Sequence, residues 1–173
     1  LNPLSKYAKA KVDIEKHILS MKNKVDNCIT IFRFATAFGL STRMRYDLTV
    51  NEFTREIFNK RYLEVYDPDT WRPYCHVEDF ADLLNLALNV EENKINFEVF
   101  NAGIDSNNFT KRMIVERIQE LIPSDNVKFI NKTGTDPRNY RVNFSKLKSI
   151  LGFKCKISVE DGIKEIIDHL EEF

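Results

Sequence analysis

Glycine and proline are scarce in this 173-residue chain, five of each. That argues against disorder or low complexity, which both residues usually accompany. Cysteine is scarcer still: Cys28, Cys75 and Cys155 lie far apart and are odd in number. With no Cys-x-x-Cys pair, neither a zinc ribbon nor a disulfide framework is indicated. Buried free thiols in a reducing, cytoplasmic setting are expected. No apolar run approaches the ~20 residues of a transmembrane helix, and the first residues carry no signal-peptide pattern. Net charge is also missing, since 26 Lys and Arg balance 26 Asp and Glu. A nucleic-acid binder shows a basic excess, so neither nucleic acid nor membrane is expected as a partner. A local cationic pocket for a phosphate ligand stays compatible with that balance.

What is present is the mix of a soluble globular protein, 43% hydrophobic and 30% charged. The length suits one domain, or a domain and a half. Tyr7, Ala8, Lys11, Ile14, Ile18 and Met21 recur at three- and four-residue steps and predict a helix over about 5–21. Cys28 to Phe34 is β-rich and predicts a strand. Asp47 is placed to cap a helix carrying Val50, Phe53, Ile57 and Phe58. Leu63–Tyr66, Phe97–Phe100, Val127–Ile130 and Tyr140–Asn143 read as short strands. Val77–Leu88 reads as an apolar helix with Glu78 and Asp79 in its first turn, where acids suit the helix end. Thr110 and Ser145 are expected to cap two further helices, with Gly152 ending the second. Ser158 and Asp161 have capping-box spacing before a last helix through Ile163, Ile166, Ile167 and Leu170. Strands alternating with helices make the class α/β.

Tyr7 and Lys11 stand four apart, so both side chains share one helix face. A nearby ammonium stabilises a tyrosinate, which lets a phenol act as acid or base near neutral pH. By themselves the two residues are equally compatible with an exposed helix surface. His17, His76 and His169 are scattered, and none shares metal-ligand spacing with a carboxylate or thiol. Structural or solvated roles are expected for them, and no metal.

The order of blocks says more than any one block. Asn2-Pro3-Leu4-Ser5-Lys6-Tyr7, Lys11 and Glu15 are followed by the strand to Arg33-Phe34 and then by Phe38-Gly39. Arg72-Pro73-Tyr74-Cys75-His76-Val77-Glu78-Asp79, Asn101-Ala102-Gly103 and Leu151-Gly152-Phe153 complete the set. Over almost its whole length the chain resembles the C-terminal half of extended short-chain dehydrogenases/reductases, the NAD-dependent sugar-nucleotide epimerase/dehydratase family. The resemblance implies the C-terminal part of a Rossmann-type parallel sheet plus a small α/β substrate-binding lobe. Residues 1–40 would belong to the dinucleotide-binding domain and 41–173 mainly to the substrate lobe, with about 71–103 returning to the Rossmann domain.

The same resemblance implies roles. Tyr7 would be the catalytic acid/base, and Lys11 its partner on the nicotinamide ribose. Phe34 and Phe38 would lie near the cofactor, NAD or NADP. Thr36, Arg43, Asp47 and Asn51 would line the side of a nucleotide-sugar substrate. Arg72 and Arg138 would meet its diphosphate, for which a planar guanidinium suits two-point binding. Family members are often dimers through the Tyr-Lys helix, and the stripe Ile14, Ile18, Met21 suits either a homodimer contact or core packing.

Departures are as specific. Thr36 and Ala37 stand where the family often has Asn and Pro, and Asp67-Pro68-Asp69-Thr70-Trp71 replaces its Gly-x-Gly turn. No Gly-x-x-Gly-x-x-Gly, the loop that seats a dinucleotide pyrophosphate on a helix N-terminus, occurs in the 173 residues. The family's Ser/Thr partner upstream of the Tyr is also absent. The chain begins at Leu1 without Met and enters a helix pattern at once, which makes a fragment of a longer enzyme the expectation, inactive alone. The alternative is a non-catalytic nucleotide-sugar-binding or interaction protein that keeps the substrate lobe.

Overall fold

A computed structural model describes residues 2–131 and 139–172. In chain order the helices are α1 (Lys6–Ser20), α2 (Thr49–Phe58), α3 (Val77–Asn89), α4 (Glu92–Ile95), α5 (Lys111–Leu121), α6 (Ser145–Leu151) and α7 (Val159–Glu171). The strands are β1 (Thr30–Phe34), β2 (Thr36–Phe38), β3 (Leu63–Tyr66), β4 (Trp71–His76), β5 (Glu98–Ala102), β6 (Asn108–Thr110) and β7 (Val127–Ile130).

Parallel pairing dominates. β1 runs parallel to β5, with Phe32 opposite Phe100. β2 runs parallel to β4, with Thr36 opposite Tyr74, and β3 runs parallel to β7. β6 lies antiparallel on the other edge of β4. β1 and β2 are separated only by Ala35, whose N–H still donates to Ala102 O at 3.0 Å. At this residue one extended chain leaves β5 and takes β4 as its partner. The divergence opens a crevice at the carboxyl end of β1, the kind of switch point at which open α/β sheets bind ligands.

Two apolar cores flank the switch. Val50, Phe53 and Ile57 of α2 pack with Ile114, Val115 and Ile118 of α5 and with Val159, Ile163 and Ile166 of α7, all beneath Phe38 and Tyr74. Leu83, Ile95, Phe100, Ala102, Leu147 and Leu151 form the second, between β5, α3 and α6. Phe34 and Phe38, two turns of pleat apart, therefore belong to different surroundings. Phe34 is exposed, whereas Phe38 is fully buried in the first core.

Several local signals act where expected. Thr110 Oγ1 accepts from Met113 N, Gly152 is left-handed at φ 65°, and Ser158 with Asp161 forms a reciprocal capping box. Others do not. Asp47 does not cap α2; the N-cap is Leu48, without a side-chain bond, because the Asp47 carboxylate is taken by Arg45. Ser145 is not a cap but the first residue of α6, and its N–H donates to Asn143 Oδ1. Tyr140–Asn143 is not a strand. Instead the Asn108 amide brackets residue 142, accepting from Val142 N at 2.9 Å and donating to Val142 O at 3.0 Å. Cys28 is exposed and Cys155 only half-buried, so of the three thiols Cys75 alone is enclosed. No helix of the described residues is long and apolar enough to cross a membrane.

Candidate functional site

α1 carries Tyr7 and Lys11, and its position is set by polar contacts. Ser5 caps it by accepting from Ala8 N, and none of its residues is buried. One ion pair ties it to the sheet: Glu15 accepts from Arg33 Nε at 2.8 Å and Nη2 at 2.5 Å. That two-point pair joins the helix two turns below Tyr7 to β1, one residue before the strand's end. The hydrogen bond from Arg33 holds the Glu15 carboxyl below its ordinary value and outweighs the burial that opposes it. Ile14 is 54% exposed, and Ile18 and Met21 are half-buried, so the apolar stripe of α1 is not core within this chain.

Tyr7 is 74% exposed and looks over a cleft of about 620 Å³ lined by Asn2, Pro3, Leu4, Ser5, Ala8, Thr36, Arg72 and Tyr140. Lys11 Nζ lies over the Tyr7 ring, 5.6 Å from its centre. Three of the expected site residues, Tyr7, Thr36 and Arg72, thus border one cavity, brought there from positions far apart in sequence. Thr36 stands at the switch on β2 and Arg72 on β4 beside it.

Tyr140 and Arg141 join the site without having been expected in it. Arg72 Cζ sits 5.4 Å from the Tyr140 ring centre, and Arg141 Cζ sits 4.4 Å from that of Trp71. Tyr140 N–H donates to Trp71 O at 3.2 Å, while Trp71 N–H donates to Asn139 Oδ1 at 3.0 Å. Two Arg–aromatic dipeptides, Trp71-Arg72 and Tyr140-Arg141, are therefore laid against each other with cations and rings crossed. Trp71 serves as the bed of this arrangement. The only sequence signal was the matching aromatic-then-arginine order. A second cavity of about 380 Å³ begins on the far side of Tyr140 and is bordered by Arg33, Phe34, Asn101 and Arg141.

Other expected residues lie elsewhere. Phe38 is fully buried and its ring abuts Gly162 and His76, so its side chain is committed to the core. Asn51 is buried too. Its Oδ1 accepts from Gly39 N, and its Nδ2 donates to Gly39 O and Arg45 O, which shapes the turn after β2. Asp47 and Arg45 form an exposed two-point pair at 2.7 and 2.8 Å, and that hydrogen bond lowers the Asp47 carboxyl to about 2. Arg43 is exposed in the same loop. Arg138 lies outside the described residues. His76 is buried and bonds Glu165 at 2.7 Å through Nε2, while its Nδ1 accepts from Glu78 N, so it is a structural His as expected. Asp79 is buried and accepts from Lys156 N and Ile157 N, a wider role than helix-end charge.

Comparison with known proteins follows the same outline. The chain is 30% identical over 138 residues to UDP-glucuronic acid decarboxylase 3 of Arabidopsis thaliana, a match covering 78% of this chain and 39% of that protein. It is 23% identical over 172 residues to UDP-glucuronate 4-epimerase of Thermodesulfobacterium geofontis, covering 98% of this chain and 51% of the other. The chain thus spans about half, or less, of the length of these relatives. Among solved structures, UDP-glucuronic acid 4-epimerase from Bacillus cereus, in complex with UDP-glucuronic acid and NAD, superposes with a TM-score of 0.84 at 21% identity. The superposition takes in 99% of this chain and 54% of that one. dTDP-glucose 4,6-dehydratase from Bacillus anthracis, in complex with NAD, gives 0.83 at 20% identity, with 99% and 54% covered. These superpositions identify the architecture as part of a Rossmann-type fold. The model of the NAD dependent epimerase/dehydratase family matches residues 1–103, more than half of the chain, and with the architecture above it shows that the chain belongs to that family.

Proposed function

We propose that this chain is the C-terminal half of an NAD(P)-dependent enzyme acting on a nucleotide-activated sugar, of the UDP-linked kind for which its curated relatives are named. The observation that carries the proposal is the convergence of Tyr7, Thr36 and Arg72 on one cleft at the β1–β2 switch. The β1–β5 sheet with α3 and α6 would belong to the dinucleotide-binding lobe, and the α2–α5–α7 cluster to the substrate lobe. Tyr7 and Lys11 are exposed on one helix face, and Phe34 is exposed at the end of β1. Those three residues fit the nicotinamide-ribose end of a dinucleotide. The pyrophosphate end has no counterpart among the 173 residues, which hold no glycine-rich phosphate loop.

When bound, the nicotinamide supplies the acceptor and donor of hydride. Tyr7 takes the proton of a sugar hydroxyl as that carbon is oxidised, and returns it when the ketone is reduced. Lys11 supplies a hydrogen bond to the ribose. Thr36, which borders the same cleft, hydrogen-bonds the sugar. Arg72 and Arg138 bind the diphosphate as fixed cations. Arg43, Asp47 and Asn51 build the loop on the nucleotide side, with Asn51 acting by holding Gly39 and Arg45 in place. The outcome is epimerisation, dehydration or reduction of the keto sugar, in a protein that works as a homodimer through α1.

The test is Tyr7→Phe in the complete enzyme. Turnover is expected to fall by at least 10³-fold, in keeping with loss of a general acid/base, with affinity for the UDP-sugar near that of the parent. An active Phe variant removes Tyr7 from the mechanism. A parent that binds the sugar nucleotide and turns over none of it favours a non-catalytic binding protein.

A further inference from the structure

Cys75 and Cys155 are 80 positions apart, yet their sulfurs lie 3.7 Å from each other. Cys75 is in β4 and 1% exposed; Cys155 lies on the segment between α6 and α7 and is half-buried. The approach is not left to the sulfurs. Asp79, in the first turn of α3, accepts from Lys156 N at 2.8 Å and Ile157 N at 3.2 Å, which anchors the backbone directly after Cys155. Lys156 Nζ also reaches Asp82 at 2.6 Å. On the strand side, His76, next to Cys75, is held by Glu165 of α7. Ala35 and Phe144 enclose the pair with Cys75, and Cys155 packs against them.

Two chemistries use a dithiol held like this, a metal and a disulfide. Asp79 is the third donor of a possible cluster, with all ligand atoms within 4.8 Å of one another. A structural zinc site takes four ligands, and both Asp79 oxygens already serve amide donors. The hydrogen bond with Cys155, followed by burial, raises the Cys75 thiol well above its ordinary value. A thiol kept protonated is a poor metal ligand. It also makes a poor first nucleophile, which leaves that step to the more accessible Cys155. A disulfide needs a sulfur separation of about 2.05 Å, and the irregular segment carrying Cys155 has only to rotate and close the difference.

We propose that Cys75 and Cys155 are a redox modification site that forms a reversible intramolecular disulfide in the folded protein. The oxidant is a small disulfide of the glutathione type. Cys155 thiolate attacks one of its sulfurs, giving a mixed disulfide and releasing one thiolate. Cys75 then loses its proton to solvent as its sulfur attacks Cys155 Sγ, and the second thiolate leaves and is protonated. Two protein thiols are oxidised and one small disulfide is reduced to two thiols. The bond ties β4, three residues beyond Arg72, to the segment leading into α7, and it forms whether or not the cleft has the function proposed above.

The experiment uses the protein with Cys28→Ser, which removes the exposed third thiol. After equilibration with oxidised glutathione and blocking with iodoacetamide, the expected product has lost two hydrogens and takes up no alkyl group. Its non-reduced peptide map joins the peptides holding Cys75 and Cys155, and its Tm exceeds that of the reduced protein by about 5 °C or more, as closing a long loop predicts. Adding Cys75→Ser is expected to trap one glutathione on Cys155. The proposal is overturned if both thiols alkylate after native oxidation, if the bond forms only in denaturant, or if the native mass carries zinc and the thiols resist oxidation.

Discussion

Single residues decide how closely β2 packs against the last helix. Gly39 has φ +101°, and a Cβ there would lie 1.9 Å from His76 Nε2. Gly162 offers the same close approach to Phe38, at 2.4 Å from Cε2. Gly39→Ala therefore combines a backbone conformation hostile to L-residues with a clash against a fully buried ring that is itself bonded to Glu165. A loss of about 2–4 kcal/mol is expected in urea unfolding; a variant as stable as the parent would show that His76 can leave its place freely. Tyr74 shows another residue-scale compromise. Its hydroxyl is buried close to Thr49, and burial, only partly offset by Thr49, pushes the phenol up to about 12. It stays neutral, filling the core as a large apolar body.

At the scale of elements, the instructive contrast is between α7 and α1. α7 places Val159, Gly162, Ile163 and Ile166 on one buried face behind a capping box, so packing holds it. α1 buries nothing and depends on its cap and on Glu15 with Arg33. Because the arginine lowers the Glu15 carboxyl, the pair contributes fully above the ordinary value of 4.5 and is lost as pH falls through the lowered folded value. Protection of the α1 amides, taken relative to the intrinsic exchange rate at each pH, is expected to fall on acidification below about pH 4.5 while that of β1 and β5 holds. Glu15→Gln should reproduce that loss of protection at neutral pH, at a cost of about 1 kcal/mol. Equal exchange in parent and variant would mean that something other than this pair positions Tyr7. The element that bears the proposed acid/base is thus the least packed of the long helices.

For the whole molecule, the half-length match to its relatives bears on cofactor binding. In the function proposed above, the Tyr7–Lys11 face meets only the ribose-nicotinamide end of a dinucleotide. Calorimetric titration of these 173 residues with NAD is expected to show affinity weaker than micromolar, because the sequence holds no glycine-rich loop to seat the charged pyrophosphate. Micromolar binding would place a pyrophosphate site within this chain and revise the division into lobes.

How far the sequence was readable follows from the range of the forces involved. Thr110, Gly152 and the Ser158–Asp161 box were legible because a cap is a matter of a few neighbouring residues. β3, β7, α3 and α5 were legible by periodicity, and the family resemblance by the order of its blocks. β4 was met as a motif and not as a strand, since Pro73 and charged neighbours hide its β-character. The proline is tolerated because its missing N–H leaves β4 paired with β2 and β6 on either side. Tyr140–Asn143 looked like a strand, but the single amide of Asn108 supplies its pairing. Asp47 looked like a cap until Arg45, two residues away, claimed it. By itself the sequence determined the α/β class, most helices and the Tyr7–Lys11 face, all set within one or two turns of chain. Only the tertiary structure decided that β1 changes partner at Ala35, that Tyr7 meets Thr36 and Arg72, that Phe38 turns inward while Phe34 does not, and that Cys75 finds Cys155. Those outcomes rest on parallel pairing and packing between segments tens of residues apart, where no local pattern records which partner is chosen.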